Sequence, residues 1–343
     1  MMFDLSSKFD SLHLTGSSGW LGKNILGVFN GEFDELKSSI SNIHIGDLIN
    51  DSLFNKNFSR LNLKDKNSID SFVKNMRAND ILVHTAGVIH PNSIKDFEEV
   101  NFLGSKHLID CSKDKLKKII VISSNSPLGI SRNNKIFDEN SPYKPYMSYG
   151  KSKYKLESYL NELIEKNYDV TILRPPWFYG PYMPERQYRF YKMIKDGIVP
   201  LVGSGNNLRS KVHLINLTLA IILCADNEKS KGEIYWVSDE KPYTQLEIIN
   251  TVRDVLEFEF QQKVKNRNIK LPYYFGDLFE ISDRVFQKLG IYNQSIHVFG
   301  ELNKTIACDI SKIQRDLGYQ PIYNLKSGLI QSLSHNNSYK NLT

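Results

Sequence analysis

The segment Thr15-Gly16-Ser17-Ser18-Gly19-Trp20-Leu21-Gly22 constrains this chain more than any other. It follows the apolar run Leu12–Thr15, which reads as a strand, and opens Trp20–Phe29, whose apolar residues recur at helical spacing. A strand that turns through three glycines into a helix suits a dinucleotide pyrophosphate. One glycine makes the tight turn, one lets backbone N–H groups approach the phosphates, and one lets helix pack on strand. Gly16, Gly19 and Gly22 fill these places, with Trp20 and Leu21 beside them at the helix start. A lone triplet is weak evidence. This one stands in the first strand–helix unit of an alternating chain, which strengthens it.

The alternation continues. Short apolar runs at Ile43–Ile45, Phe58–Leu61, Ile81–His84, Lys118–Ser123 and Val170–Leu173 read as strands, and 234–237 as another. Helical patterns fall between them at Ser68–Arg77, Ser93–Cys111 and Tyr149–Glu165. Runs such as IIVIS are apolar on both faces, as strands buried between two helix layers must be. The expected class is α/β: a doubly wound parallel sheet (Rossmann fold) with a smaller, discontinuous substrate-binding domain. After Arg174 the composition turns to Pro, aromatic and Arg residues, suited to a loop-rich wall around a ligand. Lys211–Ala225 reads as a strand returning to the sheet and running into a helix. The boundary follows: 1–174 plus about 211–237 for the dinucleotide, about 175–210 and 238–343 for the substrate.

Composition excludes more than it assigns. With 41% hydrophobic and 24% charged residues, disorder and fibrous architectures are disfavoured. The net charge of +6 is mild, and the basic run Lys113–Lys118 has no interleaved aromatic residues, so no nucleic-acid partner is expected. Cys111, Cys224 and Cys308 are far apart and show neither disulfide nor zinc spacing, so no metal is expected. No apolar stretch reaches the ~18 residues of a membrane span, and no secretory signal is legible at the start. The expected location is cytoplasmic.

Tyr149 and Lys153 stand one helical turn apart, on one face. With 18 tyrosines, about two Tyr-x-x-x-Lys matches arise by chance, and Tyr188–Lys192 and Tyr191–Lys195 are two others. Position separates them. Tyr149 opens the helix after the fifth strand, which ends in Ser123-Ser124-Asn125, and strand C-termini line the crevice of a parallel sheet. Removing a proton from an alcohol while hydride leaves its carbon needs a base active near neutrality. Bringing a phenol from a pKa of about 10 to ~7 takes about 4 kcal/mol, which the Lys153 ammonium and a positive nicotinamide ring can supply. Ser124 would orient the reacting oxygen. For the ribose, Asp47 follows the second strand slightly late, and Gly46 competes for the diagnostic position. No Arg or Lys lies between Ser38 and Asn55 to hold a 2′-phosphate, so NAD is favoured, with NADP possible.

With these residues assembled, the sequence resembles the extended short-chain dehydrogenase/reductase family, in its NAD-dependent epimerase/dehydratase branch. The resemblance runs from about Leu12 to Leu333, through TGSSGWLG, DILVHTAG, Asn101 within VNFLGS, VISSNSPLG, YGKSK, LRPPWFYGP and DISKIQRDLGYQP. It implies that Asn62 and Leu63 flank the adenine, although Asp is usual there. It implies that Ala86 and Gly87 pass beside the cofactor ribose and pyrophosphate, that Asn101 belongs to the cofactor site, and that Pro176 lies near the nicotinamide. Arg209 matches an arginine that grips substrate phosphate in nucleotide-sugar members. A homodimer through the helices at Ser93–Cys111 and Tyr149–Glu165 is also implied.

Two departures narrow the reaction. Dehydratases of the family carry Asp-Glu after the catalytic hydroxyl residue; here Asn125 and Ser126 stand there, which argues against a 4,6-dehydratase. Sugar-nucleotide epimerases usually present Asn where this chain has Trp177. Trp177, Asn216 and GEIYWVSDEKPY look closer to the 3β-hydroxysteroid dehydrogenase and aldehyde-reductase branch. Three readings follow: an epimerase or dehydrogenase of a nucleotide-activated sugar, an oxidoreductase of an apolar alcohol or ketone, and a non-catalytic dinucleotide sensor. The intact Ser124, Tyr149 and Lys153 set argues against the third.

Overall fold

Seven short strands carry the alternation into three dimensions. In the computed structural model, which describes residues 1–50 and 57–342, they are β1 (Ser11–Thr15), β2 (Asn42–Asp47), β3 (Asn57–Arg60), β4 (Ile81–His84), β5 (Lys118–Ile122), β6 (Val170–Arg174) and β7 (Ile234–Trp236). They form one parallel sheet in the order β3-β2-β1-β4-β5-β6-β7. Register aligns Leu14 with Ile45 on one side and Val83 on the other. Every residue of β1, β4, β5 and β6 is buried, as the doubly apolar runs demand.

The two-residue period divides these side chains between two cores. Leu12, Leu14, Ile81, Val83, Ile120 and Ile122 pack with α1 (Trp20–Phe29) on one face. Leu82, Ile119, Val121, Val170 and Ile172 face α2 (Lys66–Val73), α3 (Ser105–Ser112) and α4 (Met147–Glu165) on the other. A third core joins α5 (Glu185–Lys195), through Tyr191 and Ile194, to α7 (Gln245–Asp254) and α10 (Leu325–Ser334). Helix α6 (Leu214–Asp226) packs on the first core; α8 (Tyr274–Lys288) and α9 (Gln294–Glu301) form a hairpin. Among the described residues, no helix is long and apolar enough to cross a membrane.

Two local expectations change. The strand at 211–213 does not rejoin the sheet: it pairs in parallel with Trp177–Tyr179, Val212 opposite Phe178. The reason is competition, because the free edge of β6 is already taken by β7, with Ile234 opposite Ile172. The helix expected over 93–111 is broken into Lys95–Glu98, a π-helical turn at Glu99–Gly104, and α3. The basic run at 113–118 ends in the sheet, where Lys118 is buried against Asp169 at 2.8 Å.

Candidate active site

The chain runs outward from β1 to β2 and β3, then crosses back to β4 on the other side of β1, so the C-terminal ends of β1 and β4 open a crevice. The glycine turn lies there. Gly16 has φ +72°, and a Cβ on it would come within 2.8 Å of the Ala86 nitrogen, so only glycine fits. A Cβ on Gly22 would stand 2.2 Å from the Gly16 carbonyl oxygen; this is the close packing of helix on turn. Gly19 caps α1 in an extended conformation and no side chain caps the helix start. The N-terminal N–H groups of α1 are thus free of side-chain acceptors, and they suit an anionic pyrophosphate. Asp47 lies beside this turn, its carboxylate accepting from the Ser18 N–H at 2.8 Å and the Leu48 N–H at 2.7 Å. Gly46 instead faces Phe72 and Leu61. Residues 51–55 of the segment without a basic residue lie outside the described residues.

The walls expected for the cofactor are built from β3, β4 and the π turn. The Asn62 side-chain oxygen accepts from the Lys64 N–H at 3.0 Å, and Leu63 is buried, its carbonyl pressed against Gly104. The Ala86 N–H reaches the Thr15 hydroxyl at 3.3 Å. Asn101, fully buried in the π turn, closes a two-bond clamp on Val88, accepting from its N–H at 2.7 Å and donating to its carbonyl at 2.8 Å. The clamp fixes the path of Ala86 and Gly87; a Cβ on Gly87 would lie 3.0 Å from the Asn101 oxygen and 3.7 Å from Lys153 Nζ. π turns of this kind recur at functional sites.

Ser124, Asn125, Ser126 and Tyr149 line one cavity, and Lys153 is buried a turn below Tyr149 on α4. Met147, at the helix start, has φ +53°, a left-handed conformation that non-glycine residues adopt at a cost. Lys153 Nζ donates to the Ile122 carbonyl at 2.9 Å. Burial pushes Lys153 down to about 8, opposed by the Glu157 charge. Burial also pushes the Tyr149 phenol up to about 12, opposed by its hydrogen bond with Ser124. The chain's own residues therefore keep Tyr149 protonated at neutral pH.

Beneath this group lies a buried ion pair that the sequence reading missed. Glu157 and Arg174 meet at 2.7 Å; the Tyr143 hydroxyl donates to Glu157 at 2.8 Å, and Ser123 donates to it as well. Glu157 stands one turn beyond Lys153, and that spacing was the available signal.

The cavity has a volume of about 420 Å³, within the range of small-molecule sites. Pro176, Trp177, Phe178 and Phe190 make much of its wall apolar, while Arg186, Lys211, His90 and His297 add polarity. Trp20 extends from the glycine turn to this wall, donating from its indole to the Pro181 carbonyl at 2.6 Å. Arg209 does not line the cavity; it is buried, with its guanidinium 4.4 Å from the centre of the Trp177 ring. One nitrogen of Arg209 donates to the Glu301 carbonyl, while Nε and Nη1 have no partner. Lys211 is also buried and lies 5.2 Å from the same ring. Burial, helped by the neighbouring Arg209, pushes Lys211 down to about 8, and burial pushes Arg209 to about 10.

His297 and His90 reach the cavity only through tertiary packing, so no local signal announced them. His297 Nδ1 is 2.7 Å from Asp283. Burial alone lowers its pKa, but Asp283 and Glu301 outweigh burial and hold it above the ordinary value. His90 is bonded to the Tyr292 hydroxyl at 2.6 Å, and burial lowers it to about 4.

Residues 12–238 match the family described as Epimerase, the NAD dependent epimerase/dehydratase family. An uncharacterised protein of Sinorhizobium fredii is 37% identical, with 93% of each chain covered. The N-acetyl-alpha-D-glucosaminyl-diphospho-ditrans,octacis-undecaprenol 4-epimerase of Escherichia coli O157:H7 is 26% identical, with 95% of each chain covered. Among solved structures, dTDP-glucose 4,6-dehydratase from Bacillus anthracis in complex with NAD matches at a TM-score of 0.72 and 16% identity, covering 97% of this chain and 99% of that one. UDP-glucose 4-epimerase with UDP-glucose from Thermotoga maritima matches at 0.70 and 19% identity, covering 96% and 99%.

Proposed function

Since the chain belongs to the NAD dependent epimerase/dehydratase family, we propose that it is an NAD-using epimerase or oxidoreductase acting on a secondary alcohol carbon of a diphosphate-linked, nucleotide-activated sugar. One observation carries the substrate class: Arg186 and Lys211 line one cavity, Arg209 lies behind its wall against Trp177, and none of the three has a carboxylate partner in an ion pair among the described residues. Desolvated cations without a paired carboxylate are costly, and the charges of Glu301 on Arg209 and Asp239 on Lys211 offset burial only in part. An anionic diphosphate relieves that cost; a steroid or aldehyde does not. The apolar-substrate reading has its own support in Trp177, Phe178 and Phe190, but it leaves the cations without a use.

In this reading the α1 N-terminus and Asp47 hold the pyrophosphate and ribose of NAD, with NADP the less favoured cofactor. Asn101 sets the neighbouring wall by clamping Val88. Bound nicotinamide supplies hydride exchange with the substrate carbon. The chain's residues handle the proton. Ser124 hydrogen-bonds the reacting oxygen, Tyr149 gives or takes its proton, and Lys153 favours the phenolate. Because burial holds Tyr149 near 12 in the free protein, phenolate forms only when further positive charge enters the site. Asn125 and Ser126, which offer no carboxyl acid or base, support epimerisation or oxidoreduction over dehydration. A dimer through the helices at 95–112 and α4 belongs to the same reading, supported by exposed Leu103 and Tyr154.

The test is to incubate the protein with NAD and UDP-, dTDP- and GDP-sugars, following sugar epimers by NMR and NADH by absorbance. Tyr149→Phe is expected to lower turnover by about a hundredfold or more while NAD affinity stays within a few-fold. Substantial turnover in Tyr149→Phe would place the base elsewhere.

A further inference from the structure

The outer helix of the α8–α9 hairpin carries a feature that the catalytic reading does not use. Tyr274, Leu278, Ile281, Val285 and Leu289 recur at helical spacing along α8 and its end, and each has between 49% and 69% of its surface exposed. Tyr273 and Ile291 extend the stripe at its two ends. Apolar residues that should face a core thus face outward on a strongly amphipathic helix, while the opposite side packs against α9.

Charge says what covers it. On α8 and in the strand just before it, the exposed basic residues are Lys270, Arg284 and Lys288, of which Arg284 pairs with Glu280. The acids of α8 are Asp277, Glu280 and Asp283. All three are engaged: Asp277 and Glu280 by Arg132 and Lys304, Asp283 by His297. An apolar stripe flanked by Lys270 and Lys288, with Arg284 on the same helix and its acids engaged, complements an anionic bilayer surface. A second copy of this chain fits poorly, because a two-fold contact would set one basic patch against its twin.

We propose that α8 is a membrane-docking helix, which lies in the headgroup region of an anionic bilayer without crossing it. The placement has a consequence for the site. Gln294, Ser295, His297 and Val298 of α9 line the cavity, so docking through α8 sets that wall of the cavity on the membrane side of the protein.

The experiment is vesicle co-sedimentation of the full chain, using phosphatidylcholine vesicles with and without phosphatidylglycerol. The wild type is expected to pellet with anionic vesicles, less so at high salt, and weakly with neutral ones. Leu278→Ser/Ile281→Ser should lower the partition coefficient about tenfold or more, since two aliphatic anchors are lost. Lys270→Glu/Lys288→Glu should remove the preference for phosphatidylglycerol. These side chains are exposed and outside the cavity, so melting temperature and NAD binding should hold in both variants. Failure to bind anionic vesicles, or binding unchanged in the Ser variant, overturns the proposal. Size-exclusion chromatography supplies the remaining check: a wild-type oligomer dissolved by the Ser variant would assign the face to a second copy and overturn it too.

Discussion

Arg209→Met separates a ligand-binding arginine from a structural one. Burial takes Arg209 from 12.5 to about 10. The fold therefore disfavours its charged form by roughly 3 kcal/mol at neutral pH, at 1.36 kcal/mol per unit. Two contacts offset this. The bond to the Glu301 carbonyl is worth about 1.5–3 kcal/mol for a charged donor, and the Trp177 face up to about 2 kcal/mol. Methionine loses the first contact and keeps much of the second through its sulfur. The terms nearly cancel, so the free variant should unfold within about 1 kcal/mol of wild type. Binding is different. Nε and Nη1 are partnerless but sealed behind the Trp177 ring, so a diphosphate reaches them only if that ring turns aside; the contact would then be worth about 1.5–3 kcal/mol, and KM should rise about ten- to a hundredfold in the variant. The rate constant kcat should move much less, because a contact remote from the reacting carbon acts equally on ground and transition states. Initial rates with the best nucleotide sugar, beside urea denaturation of the free proteins, measure both quantities. An unchanged KM with a clear loss of stability would make Arg209 a packing residue and remove the main support for the diphosphate.

Two further predictions concern buried charge. Lys211 is pushed from 10.5 to about 8, so between those values the unfolded chain holds a proton that the folded chain lacks, and stability should rise with pH across that window. Lys211→Met should therefore stabilise the free protein at pH 7 by up to about 3 kcal/mol and flatten the rise, as urea midpoints at pH 7 and 10 would show; an unaltered pH profile refutes the assignment. Glu157→Gln strands Arg174 in the core and should cost about 3–5 kcal/mol, read as a lower denaturation midpoint.

Much of the fold was legible because local pattern and global packing agree. Trp20–Phe29 and Ile81–His84 carry the expected bounds, since glycine punctuation and a doubly apolar run are local facts. The strand at 211–213 reads in the sequence as returning to the sheet but pairs outside it, because pairing depends on which edge is already filled. The break at Glu99–Gly104 was invisible for a similar reason: Asn101 opens the helix to reach Val88, and Leu63 leaves no room beside Gly104. At the site, Ser124 and Tyr149 were placed in one crevice by strand order alone, and they do line one cavity. The electrostatics were not legible. Spacing brings Lys153 under Tyr149, but it does not reveal that burial raises the phenol rather than lowering it.

The indole of Trp20 ties the glycine turn to the far wall of the cavity. It belongs to the first residue of α1, yet it bonds to Pro181, packs edge-on to Phe178, and lies under the Arg186 guanidinium at 5.6 Å. The helix end that suits a pyrophosphate and the cation that suits a substrate anion therefore share one rigid side chain. Under the proposed function, a ligand that moves Trp20 at one end also moves its contacts at the other. Under the same reading, linkage makes any such effect mutual: the factor by which dinucleotide changes affinity for substrate is the factor by which substrate changes affinity for dinucleotide. The glycine turn and the far wall of the cavity are thus joined through this one ring.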